Sequence, residues 1–154
     1  MTTQTLTATL KLVVTFCPPT FCTVTPMAAV LPWVTEAGAF TPVMHALSGP
    51  DDARRMVNFW ADQGATSFKA YMNITRDELR AAVEEAHKRG LKVTGHLCSV
   101  GYREAAEIGI DNLEHGLLPD SEFVPNKQPD KCPGAAVNAS LRQLDLNSAV
   151  VQET

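Results

Sequence analysis

The sequence predicts an α/β chain in which short parallel strands alternate with helices, and three observations lead there. The first is a unit that recurs three times between Pro50 and Gly116: a helix-like stretch, a glycine, a strand-like run, then a residue with metal-binding chemistry. Gly64 is followed by ATSFK ending on Lys69, Gly90 by LKVTGH ending on His96, and Gly109 by IDNLEH ending on His115. The second is periodicity, since the helical stretches repeat their apolar residues every three or four positions and the strand-like runs alternate. The third is order: helix and strand taking turns this regularly imply parallel crossovers. A parallel barrel collects its chemistry at the carboxyl ends of successive strands, so equivalent placement would bring a lysine and two histidines onto one rim.

The elements follow from local chemistry. Residues 1–48 are rich in Thr, Pro and Val, and the prolines at 18, 19, 26, 32 and 42 break every apolar run, so this part reads as irregular, with a strand possible at Thr9 to Phe16. Pro50 suits the first position of a helix, Asp51 and Asp52 suit its positive end, and Gly64 suits its stop. Ala53, Met56, Val57, Trp60 and Ala61 then share one face. Thr75 and Glu78 form a capping box for a second helix, whose buried stripe is Leu79, Ala82, Val83 and Ala86 and which ends at Gly90. A third, shorter helix carries Tyr102, Ala105 and Ala106 up to Gly109. In LKVTGH the face of His96 holds Thr94 and Lys92, with Leu91, Val93 and Gly95 opposite; in ATSFK, Ser67 and Ala65 share the face of Lys69, with Phe68 and Thr66 opposite; in IDNLEH, His115 shares its face with Leu113 and Asp111. The middle region, 49–118, is thus the structured α/β unit. Residues 119–154 begin with Pro119, Pro125, Pro129 and Pro133 and read as a long loop and a weakly helical tail.

Composition excludes several classes of function. At 154 residues and 45% apolar the chain can bury one ordinary core. A formal charge of -4 without any basic run argues against nucleic acid as a partner. The longest apolar stretches, Leu12 to Phe16 and Met27 to Val34, are too short to span a bilayer, and the first thirty residues lack the basic start and apolar core of a signal peptide, so a cytoplasmic location is favoured. Cys17, Cys22, Cys98 and Cys132 have neither zinc-site spacing nor the density of a disulfide scaffold, and Cys98 reads as a half-buried loop thiol near His96. His87, in the last turn of a helix beside Lys88 and Arg89, reads as structural, as does His45 in a proline-flanked loop. Tyr71 reads as packing, and Asp77, Glu84 and Glu85 as a solvated helix face.

Lysine is an unusual metal ligand, because an ammonium donates three protons and accepts none. A buried, neutral Lys69 can instead add carbon dioxide, and the resulting carbamate is an anionic oxygen ligand able to bridge two divalent ions. Two metals roughly 3.5–4 Å apart would hold a hydroxide at neutral pH and polarise a substrate carbonyl or phosphoryl oxygen. Neutral imidazoles such as those of His96 and His115 suit zinc, nickel or iron.

At TSFKAY around Lys69, VTGHL around His96 and NLEHG around His115 the chain resembles the amidohydrolase superfamily, in particular its imidazolonepropionase-like and Xaa-Pro-dipeptidase-like branch. The resemblance covers roughly Ala39 to Pro133. It implies an eight-stranded (β/α) TIM barrel, of which strands four, five and six carry the carboxylated Lys69, His96 and His115 as metal ligands. It also implies a binuclear divalent centre, zinc foremost, acting on a small-molecule substrate with a carbon–nitrogen bond in an amide, cyclic amide or dipeptide. The same centre supports phosphotriesterase or lactonase chemistry, and a noncatalytic interaction piece is the reading from another class. The family's His-x-His pair on strand one and its aspartate on strand eight have no counterpart here, for His45 and His87 are not so paired and no strand reads before Asp120, Asp130 or Asp145. A barrel takes about 250 residues, so the chain is expected to be a fragment or a degenerate product supplying about three of eight strands. No catalytic residue is assigned, and the chain alone is expected to show no appreciable turnover, because a site that acts as a unit loses most of its effect with one member. Homo-oligomerisation is a property to look for in a full-length protein.

Overall fold

The first three helices begin and end where local sequence supplies the chemistry for it. The computed structural model describes residues 12–16 and 44–152; Cys17, Cys22 and most of the Thr/Pro-rich region lie outside them. Helix α1 spans Pro50–Asp62 with proline in its first turn, and the buried Asp52 carboxylate accepts from the Ser48 amide at 3.0 Å. Helix α2, Arg76–Lys88, has the full capping box: the Glu78 carboxylate accepts from the Thr75 amide at 2.9 Å while the Thr75 hydroxyl accepts from the Glu78 amide at 3.3 Å. Two orphan amides are thereby satisfied, worth about 1 kcal/mol. Helix α3, Tyr102–Ile108, ends at Gly109. The recurring glycine of each unit has a positive φ, 92° at Gly64, 71° at Gly90 and 95° at Gly109, which turns each helix back toward the sheet at no steric cost.

The returning segments form β3 (Ala65–Ala70), β4 (Lys92–Gly95) and β5 (Asn112–Leu113), which pair in parallel in that order. Alternation then separates two faces. Phe68 and Val93 are fully buried beneath the helices, with Val57, Leu79, Val83 and Ala86 packed over them, while Ser67, Lys69, Lys92 and Thr94 stay on the other face, partly or fully accessible. Helices α1 and α2 pack side by side against β3, and α2 also meets β4 and α3. The chain is therefore mixed α/β with a three-stranded parallel core.

Several expectations need correction. The strand at Leu12–Phe16, β1, joins the sheet beside β3, but antiparallel to it, unlike a neighbour in an all-parallel barrel. Its register shifts between Thr15 and Phe16, leaving Thr66 without a partner, so the alternation slips there: Ala65 is buried and Thr66 exposed. His45 lies in strand β2, Met44–His45, rather than in a loop, because Leu12 offers it an edge to pair with. The third parallel strand stops at Leu113, so strand alternation does not orient His115. Glu85 is not solvated: at 14% exposure it lies between two helices, accepting from Asn58 of α1 at 2.7 Å and from Lys88 at 2.9 Å, which hold its carboxyl below the usual range.

The proline-rich segment after β5 folds back over the loop between β4 and α3. Cys132 forms a disulfide there with Cys98, which corrects the reading of Cys98 as a thiol: sequence spacing cannot see a partner brought in by the return of a loop 34 residues away. Beyond it the chain forms α4, Ala135–Leu141, and α5, Ala149–Gln152. Among the described residues no helix is long and apolar enough to cross a membrane.

Candidate functional site

The three parallel strands end side by side, and their carboxyl ends carry Lys69, His96 and the Glu114–His115 pair. The ladder continues one step past the strands, because the His96 amide donates to the Ala70 carbonyl at 3.1 Å and the Glu114 amide to that of Gly95 at 2.9 Å. This places Lys69 inside β3, His96 just beyond β4 and His115 two residues beyond β5. Gly95 is needed behind His96 because a Cβ there would come within 2.8 Å of the Ile110 and Leu97 side chains. His115 adopts a left-handed conformation, φ 69°, followed by Gly116 at φ 58°. Tyr102 clamps that turn: its hydroxyl is shared between the carbonyls of Glu114 at 2.9 Å and Gly116 at 2.6 Å. Burial, then the charges of Asp120 and Glu114, pushes the phenol up to about 12, so it stays a donor.

The side chains form one connected group. The rings of His96 and His115 meet with centroids 4.6 Å apart, and the Tyr71 ring lies 4.9 Å from that of His96. The Glu114 carboxylate takes hydrogen bonds from the Lys69 ammonium and, at 2.7 Å, from the Thr94 hydroxyl, and His115 Nε2 lies 3.6 Å from it. Burial pushes the Glu114 carboxyl up, but Lys69, Thr94 and the charge of His115 outweigh it and leave it lowered. Burial, followed by repulsion from His115 and Lys69, lowers His96 to about 4. His96 is therefore a neutral imidazole at neutral pH, the form that ligates a metal. Its ring makes no side-chain hydrogen bond among the described residues.

Lys69, His96 and His115 are thus brought together as the spacing predicts, while the parts played by Glu114, Thr94 and Tyr102 are not legible in the spacing. The glutamate of NLEHG adjoins a candidate ligand in sequence; Tyr102 reads only as a residue of the third helix, and nothing local reveals its hydroxyl's use. The donor set fits a metal in part. Two imidazoles suit a divalent ion, whereas Lys69, hydrogen-bonded to the Glu114 carboxylate, does not fit the carbamate, which would set two anions in contact. Among the described residues no group of three or more His, Cys, Asp or Glu stands ready to hold a metal ion. Asp120 is 1% exposed, with one oxygen accepting from the Glu122 amide at 3.0 Å and the other without a hydrogen-bond partner among the described residues. Burial, above all, raises its carboxyl. No protein-family model matches this chain, and no curated protein matches it.

Proposed function

We propose that this chain carries part of the metal rim of an amidohydrolase-type hydrolase acting on carbon–nitrogen bonds, built on strands corresponding to the fourth to sixth of a (β/α)8 barrel. The observation that supports this reading is the convergence of Lys69, His96 and His115 at the carboxyl ends of three adjacent parallel strands. His96 and His115 would hold a divalent ion, zinc foremost, which when bound supplies Lewis-acid activation of a carbonyl and of water. His96 is kept neutral and so available as a ligand, Tyr102 fixes the backbone on both sides of His115, and Glu114 holds Lys69 at the rim. Calorimetric titration of the full chain with zinc tests this. Binding that His96→Ala and His115→Ala each abolish supports it, and binding indifferent to both overturns it. A panel of amide, cyclic amide, dipeptide and phosphotriester substrates then separates the chemistries.

A second reading, a noncatalytic interaction piece, is favoured by the engagement of Lys69 with Glu114 and by a sheet that, among the described residues, ends at β2 on one side and β5 on the other. A monomer on size exclusion whose strands are protected from hydrogen exchange would contradict it.

A further inference from the structure

The segment from Leu117 to Gly134 lies as a strap across the loop that joins His96 to α3, and it does so through contacts distributed along its length. The Ser121 hydroxyl donates to the Cys98 carbonyl, Lys127 Nζ donates to the Ser99 carbonyl at 2.7 Å, and the Glu122 carboxylate accepts from the Arg103 amide at 3.0 Å. Near its end Asp130 accepts from the Arg76 amide at 2.8 Å and from the Arg76 guanidinium at 3.2 and 3.3 Å, and Cys132 is bonded to Cys98. Beneath it Leu97, Cys98, Ser99 and Val100 are all buried. Cys98 follows His96 by two residues, and Tyr102, the clamp on the His115 turn, follows the same loop. Most of these ties are single polar contacts at a partly accessible surface, each of modest net strength. The covalent bond is the tie that does not open by thermal fluctuation.

We propose that the Cys98–Cys132 bond is a redox-modifiable latch on this strap, and that a dithiol reductant releases the strap from the His96 loop while the helical core stays folded. Cys98 is 2% exposed and Cys132 is the more accessible partner, so the incoming thiolate attacks the Cys132 sulfur and the Cys98 thiolate leaves. The second thiol of the reductant then attacks the mixed disulfide and frees Cys132. Two electrons and two protons pass to the protein as two thiols, and the reductant becomes a cyclic disulfide. The freed strap loosens both neighbours of the histidine rim: the loop 97–101 directly, and Tyr102 through it. This inference does not depend on the proposed function, because it concerns how the strap is held and not what the rim does.

The test uses the full chain, air-oxidised and then treated with dithiothreitol. Non-reducing peptide mapping is expected to show Cys98 and Cys132 in one linked pair, and reduction is expected to speed hydrogen exchange by roughly tenfold or more over 97–101 and 121–132 while α1, α2 and β3 keep their protection. Cys132→Ser is expected to behave under oxidising conditions like the reduced protein. Unlinked cysteines in the oxidised chain, unchanged exchange on reduction, or loss of protection throughout the core would each overturn the proposal, the last by making the bond a structural staple.

Discussion

The two ends of the parallel sheet use the same three residue types, a lysine, a carboxylate and a histidine, to opposite effect. At the amino-terminal end Asp111 is saturated: its carboxylate accepts from Lys92 Nζ at 2.7 Å and from the Val93 amide at 2.8 Å, and meets His87 Nε2 at 2.9 Å. Burial pushes this carboxyl up, but those partners together bring it down to about 2. Asp111 thereby ties α2, β4 and the start of β5 into one piece. At the carboxyl-terminal end Glu114 and Lys69 satisfy each other, while His96 is left half-buried, depressed to about 4 and without a hydrogen-bonded ring nitrogen among the described residues. A saturated cluster is a fastening; a half-buried imidazole with no side-chain hydrogen bond among the described residues has, under the proposed function, the chemistry of a ligand. Composition alone does not tell them apart.

Acid should separate the two ends most clearly. His96 has a lower pKa folded than the ordinary 6.5, so between pH 6.5 and 4 the unfolded chain binds the proton that the folded chain refuses. Its contribution is complete above pH 6.5 and is lost as pH falls toward 4, by about 2 kcal/mol once solvent screening of the half-buried ring is allowed for. Urea titrations across that range should show the loss in the native chain and a flatter profile in His96→Gln; equal slopes in both would end the distinction between the two rims. Asp111 works in a lower window, with its stabilisation present above the ordinary carboxylate range and lost as pH drops through about 2. Asp111→Asn should therefore cost about 1–2 kcal/mol at pH 7 once solvent screening is allowed for, read from the urea midpoint, and leave the slope between pH 6.5 and 4 unchanged. A cost near zero would mean that the lower end is not fastened as described.

Smaller effects test how the upper rim is assembled. Gly95→Ala should cost about 1–2 kcal/mol in thermal or urea unfolding, because the Ile110 and Leu97 side chains must move away from the new methyl group. If it also weakens zinc binding, the displacement reaches His96. Lys69→Met should cost about 1 kcal/mol, since the pair with Glu114 is partly exposed and Thr94 still serves the carboxylate. A double-mutant cycle with Glu114→Gln measures the coupling, and a coupling of zero would show the ion pair to be incidental.

Much of the framework was legible because it is governed by neighbours in sequence. The Thr75–Glu78 capping box, Pro50 at a helix start, the turns at Gly64, Gly90 and Gly109, and the alternation that buries Val93 opposite Thr94 all follow from interactions within a few residues. The rim positions of Lys69 and His96 were legible for the same reason, being counted along strands from a glycine. His115 was reached by the same count, but its left-handed backbone was not, since a two-residue strand carries no alternation to extrapolate.

That helices and short parallel strands alternate, and that a lysine and two histidines fall at or just past the carboxyl ends of those strands, follows from helix caps, turns and side-chain periodicity, which are local properties of the backbone. Long-range packing is what sets Glu114 on Lys69, Tyr102 against the turn of His115, β1 antiparallel beside β3, and Cys132 on Cys98. Each of these joins residues at least a dozen positions apart. Such contacts form only once the packed core has settled the loop-closure entropy that separates them, and no local pattern records which distant partner will be there.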